Sequence, residues 1–156
     1  MSNETTHVAI GCSTTRDYSF LIPFTALLWR NRIGFNPIVI LTGSNEDWFG
    51  SKRTSSSIAA LNKIGIEYTI AGRMDGYEDG TVAQNIRHHA ASMTSVGKDD
   101  WIMLSDADLW PLKKEFYARH FDADARAVMY YSNGDHFVGK DDVLTRFDDG
   151  KGFQSL

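Results

Sequence analysis

Residues 101–111 read Trp-Ile-Met-Leu-Ser-Asp-Ala-Asp-Leu-Trp-Pro, and this stretch decides the fold and the site that the sequence predicts. Its first four residues are a short apolar run that predicts a buried strand, and the run leads directly into Asp106 and Asp108. Alternate side chains of an extended chain point to the same side, so both carboxylates are expected to face one ligand. Carboxylates set among large apolar groups are costly to leave unpaired, which favours a binding site over a solvated turn.

Apolar strands and helical periodicity alternate along most of the chain. The predicted strands are residues 7–12, 37–41, 66–71, 101–104 and 127–132. The predicted helices are residues 18–32, 58–64, 81–93 and 113–119, with glycine stops at Gly34 and Gly65 and a capping loop over residues 45–57. This order predicts an α/β fold, a Rossmann-like and mainly parallel sheet with helices on both faces. Ligands of such sheets bind outside the carboxyl ends of the strands, where Asp106 and Asp108 fall.

Length, charge and cysteine content narrow the class of protein. The 156 residues are enough for one domain over residues 1–156, and the formal net charge of −4 provides no wide positive field for nucleic acid. No apolar segment approaches the roughly 20 residues that span a bilayer, and the amino terminus lacks the pattern of a signal peptide. With a single cysteine, Cys12, these features predict a cytoplasmic protein with no membrane span and no nucleic-acid partner.

The order of an apolar strand, Ser-Asp-Ala-Asp and Leu-Trp-Pro resembles the metal-binding segment, or DxD motif, of glycosyltransferases with the GT-A fold, the fold of nucleotide-diphospho-sugar transferases. A small polar loop after the first strand, and Arg87 on the helix before the acidic strand, are also similar to that superfamily. The resemblance implies that Asp106 and Asp108 tie Mn²⁺ or Mg²⁺ to the donor's diphosphate, contact the ribose and act in catalysis through the metal. Asp108 is the favoured direct ligand. Hard cations of this kind take carboxylates and phosphates.

The resemblance also implies donor contacts outside the motif. In the loop after the first strand, the residues that would contact the base and ribose are Gly11, Ser13 and Thr14. Many members read the base with an aspartate after the second strand, whereas this chain has Thr42-Gly43-Ser44, so Asp75 after the third strand is the candidate replacement. Arg87 would donate charge-assisted bonds to phosphate or sugar oxygens. Each of the last two has a plain alternative, a loop carboxylate for Asp75 and a surface arginine for Arg87.

Together these features predict a metal-dependent glycosyltransferase of the hexosyltransferase kind. It would move a sugar from a nucleotide-diphosphate donor, with a UDP-sugar favoured, to a saccharide or glycoconjugate acceptor. Family members commonly run well beyond this length, so either the chain is the amino-terminal part of a larger protein or its acceptor half is unusually small. Whether the reaction retains or inverts the anomeric configuration is left open.

Two alternatives remain. A sugar-phosphate nucleotidyltransferase shares the fold, but its first loop normally has a Gly-x-Gly-Thr-Arg type of signature followed by a lysine. This chain has Gly11-Cys-Ser-Thr-Thr-Arg, with one glycine and no nearby lysine. The second alternative is a noncatalytic module that binds nucleotide sugars, or the partner subunit of a glycosyltransferase. Turnover of donor with added acceptor separates it from an enzyme.

Overall fold

A computed structural model describes residues 5–15, 18–93, 96–97, 100–118, 127–129 and 153–155. The chain divides into two compact units, Met1–Lys114 and Glu115–Leu156. The first unit contains the larger sheet and the aspartates singled out above. The single domain expected over residues 1–156 stays a prediction.

The first unit is built on a sheet of four strands. They are β1 Thr6–Ser13, β2 Asn36–Thr42, β3 Tyr68–Ile70 and β4 Trp101–Ser105. All neighbours pair in parallel, in the order β3-β2-β1-β4. The chain therefore moves outward from β1 to β3 and then crosses back to place β4 on the other side of β1. The α/β sheet expected from the sequence is confirmed, and its change of direction lies between β1 and β4.

Helical segments lie between these strands and after the last of them. They are α1 Tyr18–Leu28 with a π-helical continuation Trp29–Ile33, α2 Asn45–Phe49, α3 Lys52–Ile64, α4 Asp79–Ile86 with a 3₁₀ turn Arg87–His89, α5 Ala90–Met93 and α6 Lys114–Ala118. Gly34 and Gly65 end two of them with φ of 87° and 65°. Glycine adopts this left-handed conformation without the steric cost of a side chain, so both predicted stops are confirmed.

Helices cover both faces of the sheet. On one face Ala9, Ile38 and Ile40 form a buried cluster with Ala90 of α5, and Ile86 of α4 packs against it. The alternate residues of β1 and β2 point the other way, and they too are buried: Val8, Ile10, Val39 and Leu41. Helix α1 contacts both β1 and α3, and it covers this second face. The crossing from β3 to β4 thus runs over the opposite face from the first crossing.

Most of the segment predicted as a loop over residues 45–57 is helical, which corrects the sequence interpretation. Helix α2 begins with a capping box, in which Ser44 accepts from the Asp47 amide and the Asp47 carboxylate accepts from the Ser44 amide. Helix α3 begins at a second cap, where the Ser51 hydroxyl accepts from the amide of Thr54. The serine hydroxyls inside α3 donate to backbone carbonyls one turn earlier. Ser55, for example, donates to the carbonyl of Ser51 at 2.6 Å.

The second unit contains the last predicted strand. Residues 127–132 were expected to form it, and β5 spans Ala127–Met129. It pairs in parallel with β6, Phe153–Ser155, in a separate two-stranded sheet. Residues 130–132 lie outside the described part of the chain.

Candidate functional site

A pocket of about 410 Å³ lies at the change of direction in the sheet, beyond the carboxyl ends of β1 and β4. Three parts of the chain line it: the end of β1 with the start of α1, the first turns of α4, and the segment after β4. The lining residues are Gly11, Cys12, Ser13, Thr15, Tyr18, Glu78, Gly80, Thr81, Ala83, Gln84, Asp106, Ala107 and Asp108. This is the position at which open parallel sheets generally bind their ligands.

Asp106 and Asp108 both line this pocket, but their backbone is not extended as the sequence suggested. Pairing of β4 with β1 ends at Ser105, which lies opposite Ile10. Beyond it the amide of Leu109 donates to the carbonyl of Asp106 at 3.2 Å and closes a turn. The expectation of an extended Asp-Ala-Asp segment is therefore wrong, because the chain turns directly after the last residue that pairs with β1. The convergence of both aspartates on one pocket is nevertheless found.

The residues that alternate with the aspartates hold the turn against α1 and its π-helical continuation. Ser105 and Ala107 are buried, whereas Asp106 and Asp108 are exposed. The indole nitrogen of Trp29 donates to the Ser105 hydroxyl at 3.2 Å, and the Thr25 hydroxyl donates to the Ala107 carbonyl at 2.5 Å. Small residues thus hold the backbone against α1 and its π-helical continuation, and both aspartate side chains are left exposed.

Arg87 contacts the first of the two aspartates. Its Nη1 donates to Oδ1 of Asp106, and the two side chains are 19% and 57% exposed, respectively. Arg87 does not line the pocket, so its described contact is with a carboxylate rather than with the position of a donor. No described residue bonds to the side chain of Asp108. The two aspartates therefore differ, one being paired with a cation and the other open to solvent.

Gly11 allows α4 to lie directly on the end of β1. A Cβ atom at this position would come within 1.9 Å of the carbonyl oxygen of Ala83. The helix begins at Asp79, after the N-cap residue Glu78, whose side chain makes no capping bond. Its first turn places Gly80 and Thr81 on the pocket wall. Partial positive charge at a helix amino terminus favours an anion nearby, which suits this wall to a phosphate or hydroxyl oxygen.

The other predicted contacts divide into those that reach the pocket and those that do not. Gly11 and Ser13 line it, and the Ser13 hydroxyl accepts from the amide of Thr15 at 3.3 Å. Thr14 does not line it; its carbonyl accepts from Arg53 at 3.0 Å. Asp75 lies in an exposed turn after β3 and is not among the lining residues. Its predicted contact with a base gains no support from this arrangement.

Sequence reasoning missed Tyr18, Glu78 and the first turn of α4. Tyr18 is the first residue of α1, and Glu78 directly precedes α4. The helix was predicted to begin at Thr81, two residues after its observed start at Asp79. Gly80 lies directly before that predicted start, and a glycine can lie in the first turn of a helix without ending it. Each of these residues reaches the pocket because α1 and α4 begin at the same edge of the sheet.

The charge of the pocket is acidic. Glu78, Asp106 and Asp108 line it, and none of its described lining residues is basic. Burial raises the pKa of the Cys12 thiol to about 12, so this side chain stays neutral and is a poor nucleophile at neutral pH. An anionic ligand would meet unfavourable charge here unless a cation accompanies it.

The donor set fits a divalent cation that brings ligands with it. Among the described residues, no three His, Cys, Asp or Glu side chains converge on one point. Asp106 and Asp108 therefore supply at most two carboxylates. Mg²⁺ commonly binds through one or two carboxylates, keeps several waters and takes the remaining ligands from substrate phosphates. The residues present suit such a shared site better than a site made by protein alone.

A separate ion pair braces the connection that leads to the pocket. Arg73, after β3, donates two bonds to Asp47 of α2, at 2.7 and 3.1 Å, and lies 3.9 Å from Asp79 of α4. Bonds from Ser44, followed by Arg73, lower the pKa of Asp47 to about 2. This pair joins α2 to the segment before α4, and it does not line the pocket.

Comparison with known proteins leaves the site to be interpreted from its own geometry. No protein-family model, curated protein or solved structure matches this chain. Among the described residues, no helix has the length and apolar character needed to cross a membrane. The interpretation therefore rests on the pocket, its aspartate turn and its charge.

Proposed function

We propose that this chain is a nucleotide-sugar-binding domain of the GT-A type, and that it acts as a metal-dependent glycosyltransferase. The donor would be a nucleoside-diphosphate sugar, with a UDP-sugar favoured, and the acceptor a saccharide or glycoconjugate. The cation would be Mn²⁺ or Mg²⁺. A cytosolic location belongs to the same proposal, since the free thiol of Cys12 is compatible with a reducing compartment.

One observation supports this proposal above the others. The Asp106–Asp108 turn and the end of β1 border one pocket, at the position in a parallel sheet where nucleotides commonly bind. Because the described lining contains three acidic residues and no basic one, a diphosphate needs a cation to enter. The charge of the pocket therefore supports the proposed metal requirement, as does the resemblance of the motif.

The position of each residue indicates which part of the donor or metal it would contact. Asp108 and Asp106 would hold the metal between the protein and the diphosphate, while Arg87 bonds to Asp106 and does not line the pocket. Gly11, Ser13 and the first turn of α4, which also line the pocket, would receive the nucleoside and phosphate oxygens. A bound divalent cation would neutralise the negative charge that grows on the diphosphate as the sugar leaves.

Calorimetry with UDP, GDP and CMP, each with Mn²⁺ and with a chelator, tests the proposal. We expect UDP to bind with Mn²⁺ and to lose most of its affinity in the chelator. Equal binding in both conditions would contradict the role of the aspartates. Release of UDP from UDP-sugars, measured with and without mixed saccharide acceptors, then separates a transferase from a module that only binds.

A further inference from the structure

We infer that Arg87 acts as an internal counterion for Asp106 and keeps the affinity of the pocket for a free divalent cation low until a nucleotide arrives. The inference rests on the proposed function and concerns the regulation of the same site. It makes Arg87 a positioning residue, which acts through Asp106 and does not touch the donor.

Arg87 occupies the carboxylate of Asp106, for which a metal would otherwise compete. Its Nη1 bonds to Oδ1 of Asp106, whose carboxylate is otherwise open to the pocket. Arg87 begins the short 3₁₀ turn between α4 and α5. The residues on each side of that turn, Ile86 and Ala90, belong to the apolar packing under the sheet. The backbone of Arg87 is therefore fixed by its neighbours, and the guanidinium remains next to Asp106.

The charges around the two aspartates couple the binding of the metal to that of the nucleotide. A guanidinium in contact with Asp106 offsets its charge and repels a dication that approaches the same carboxylate. Asp108, two residues further on, has no described side-chain partner and is the carboxylate free to bind a metal first. One carboxylate makes a weak site for Mg²⁺ or Mn²⁺, and phosphate oxygens complete it. Metal and nucleotide are thus expected to bind together more tightly than either binds alone.

A second observation explains why a free cation does not displace Arg87. The Nε atom of Arg87 is buried and has no hydrogen-bond partner within the described part of the chain. A buried donor without a partner is unfavourable, so the guanidinium depends on Asp106 for compensation. Losing that contact to a weakly bound ion would leave a largely buried charge with still fewer partners.

The test measures binding of Mn²⁺ alone to the full chain, with free Mn²⁺ counted by electron paramagnetic resonance and no nucleotide present. Arg87→Met should bind Mn²⁺ about fivefold more tightly than the wild type, the size expected when a partly exposed ion pair is removed. Adding Asp106→Asn to Arg87→Met should return the affinity to the wild-type value. Arg87→Lys retains the charge and should stay within about twofold of the wild type. Arg87→Gln serves as a second uncharged variant if Arg87→Met does not fold.

Arg73→Met is the matched control. It breaks another arginine–aspartate pair and changes the net charge equally, but its pair with Asp47 lies outside the pocket lining. Its Mn²⁺ affinity should not change. An equal gain in Arg73→Met would show an effect of net charge alone and overturn the inference. So would an unchanged or weaker affinity in a folded, uncharged Arg87 variant.

The two proposals can fail separately. If UDP binds the wild type with Mn²⁺ while the uncharged Arg87 variants show no gain for Mn²⁺ alone, the proposed function stands and the counterion role is wrong. If those variants gain affinity for Mn²⁺ but no variant binds any nucleotide, the counterion role stands and the proposed function is wrong.

Discussion

The hydroxyl of Thr25 donates to the carbonyl of Ala107 at 2.5 Å, and this buried bond joins α1 to the middle of the aspartate turn. Thr25→Val keeps the shape of the side chain but leaves the Ala107 carbonyl without its donor. We expect the free energy of unfolding to fall by about 1–3 kcal/mol, the cost of an unsatisfied buried group. Urea denaturation measures the change. Thr25→Ser retains the hydroxyl, and a loss as large as that of Thr25→Val would show that the methyl group matters more than the bond.

A Cβ atom at Gly11 would collide with the backbone of α4, since the Ala83 carbonyl oxygen would lie 1.9 Å away. Gly11→Ala should therefore push α4 off the sheet and lower the free energy of unfolding by about 1–3 kcal/mol or more. Gly80→Ala is the control on the same helix, because its nearest atom, the Ser13 hydroxyl, is 4.0 Å from the added carbon. It should stabilise α4 by about 0.5–1 kcal/mol. Similar effects of the two changes would contradict the close approach at Gly11.

Asp108→Asn retains the size of the side chain and removes its charge. Because Asp108 is exposed, we expect the melting temperature without ligand to stay close to that of the wild type. The affinity for Mn²⁺ with UDP should fall at least as much as the roughly 10–100-fold typical of losing an outer partner of a metal site. Calorimetry and thermal melting on the same sample measure both. A variant that melts early and still binds UDP in a Mn²⁺-dependent way would place the metal on other residues.

Asp47 should make stability depend on pH in the acid range. Its pKa is lowered to about 2 in the folded chain, whereas an unperturbed aspartate titrates near 3.9. A lowered folded pKa stabilises the protein fully above the unfolded value, and this stabilisation is lost as the pH falls from about 4 to about 2. Melting temperatures from pH 2 to 6 should fall less steeply for Asp47→Asn than for the wild type. A fall in Asp47→Asn as steep as that in the wild type would contradict the contribution of this carboxylate.

The sheet and the edge at which the site lies could be predicted from the sequence for a physical reason. Apolar runs define buried strands, and all parallel strands bring their carboxyl ends to one edge, so Gly11, Ser13 and the two aspartates were expected at the same edge. They line one pocket because β4 pairs with β1. Local chemistry was harder to read. The Ser44 and Asp47 pair that begins α2 is a capping signal, but it lies in a polar stretch without apolar periodicity.

Side-chain partners distant in sequence were beyond prediction. Arg87 meets Asp106, 19 residues away, at the point where α4 gives way to a 3₁₀ turn. The sequence shows no glycine or proline at that break, and a continuous helix was expected there. Asp75 was assigned from its position after a strand alone. Asp75 lies in an exposed turn of the connection between β3 and α4, whereas it is the end of that connection, at Glu78, that lines the pocket, which explains why that assignment found no support.

In the aspartate turn, buried residues that fix the backbone alternate with exposed residues that can contact a ligand. Ser105 and Ala107 are held by α1 and the π-helical turn after it, whereas the side chains of Asp106 and Asp108 add nothing to the apolar interior. Ligand preference could thus be redesigned at position 108 without repacking, whereas Asp106 also compensates the charge of Arg87. Asp108→His, for example, would offer an imidazole nitrogen in place of a carboxylate oxygen and shift the preference of the proposed site from Mg²⁺ towards Zn²⁺. The backbone of the turn would stay the same while the preferred metal changes.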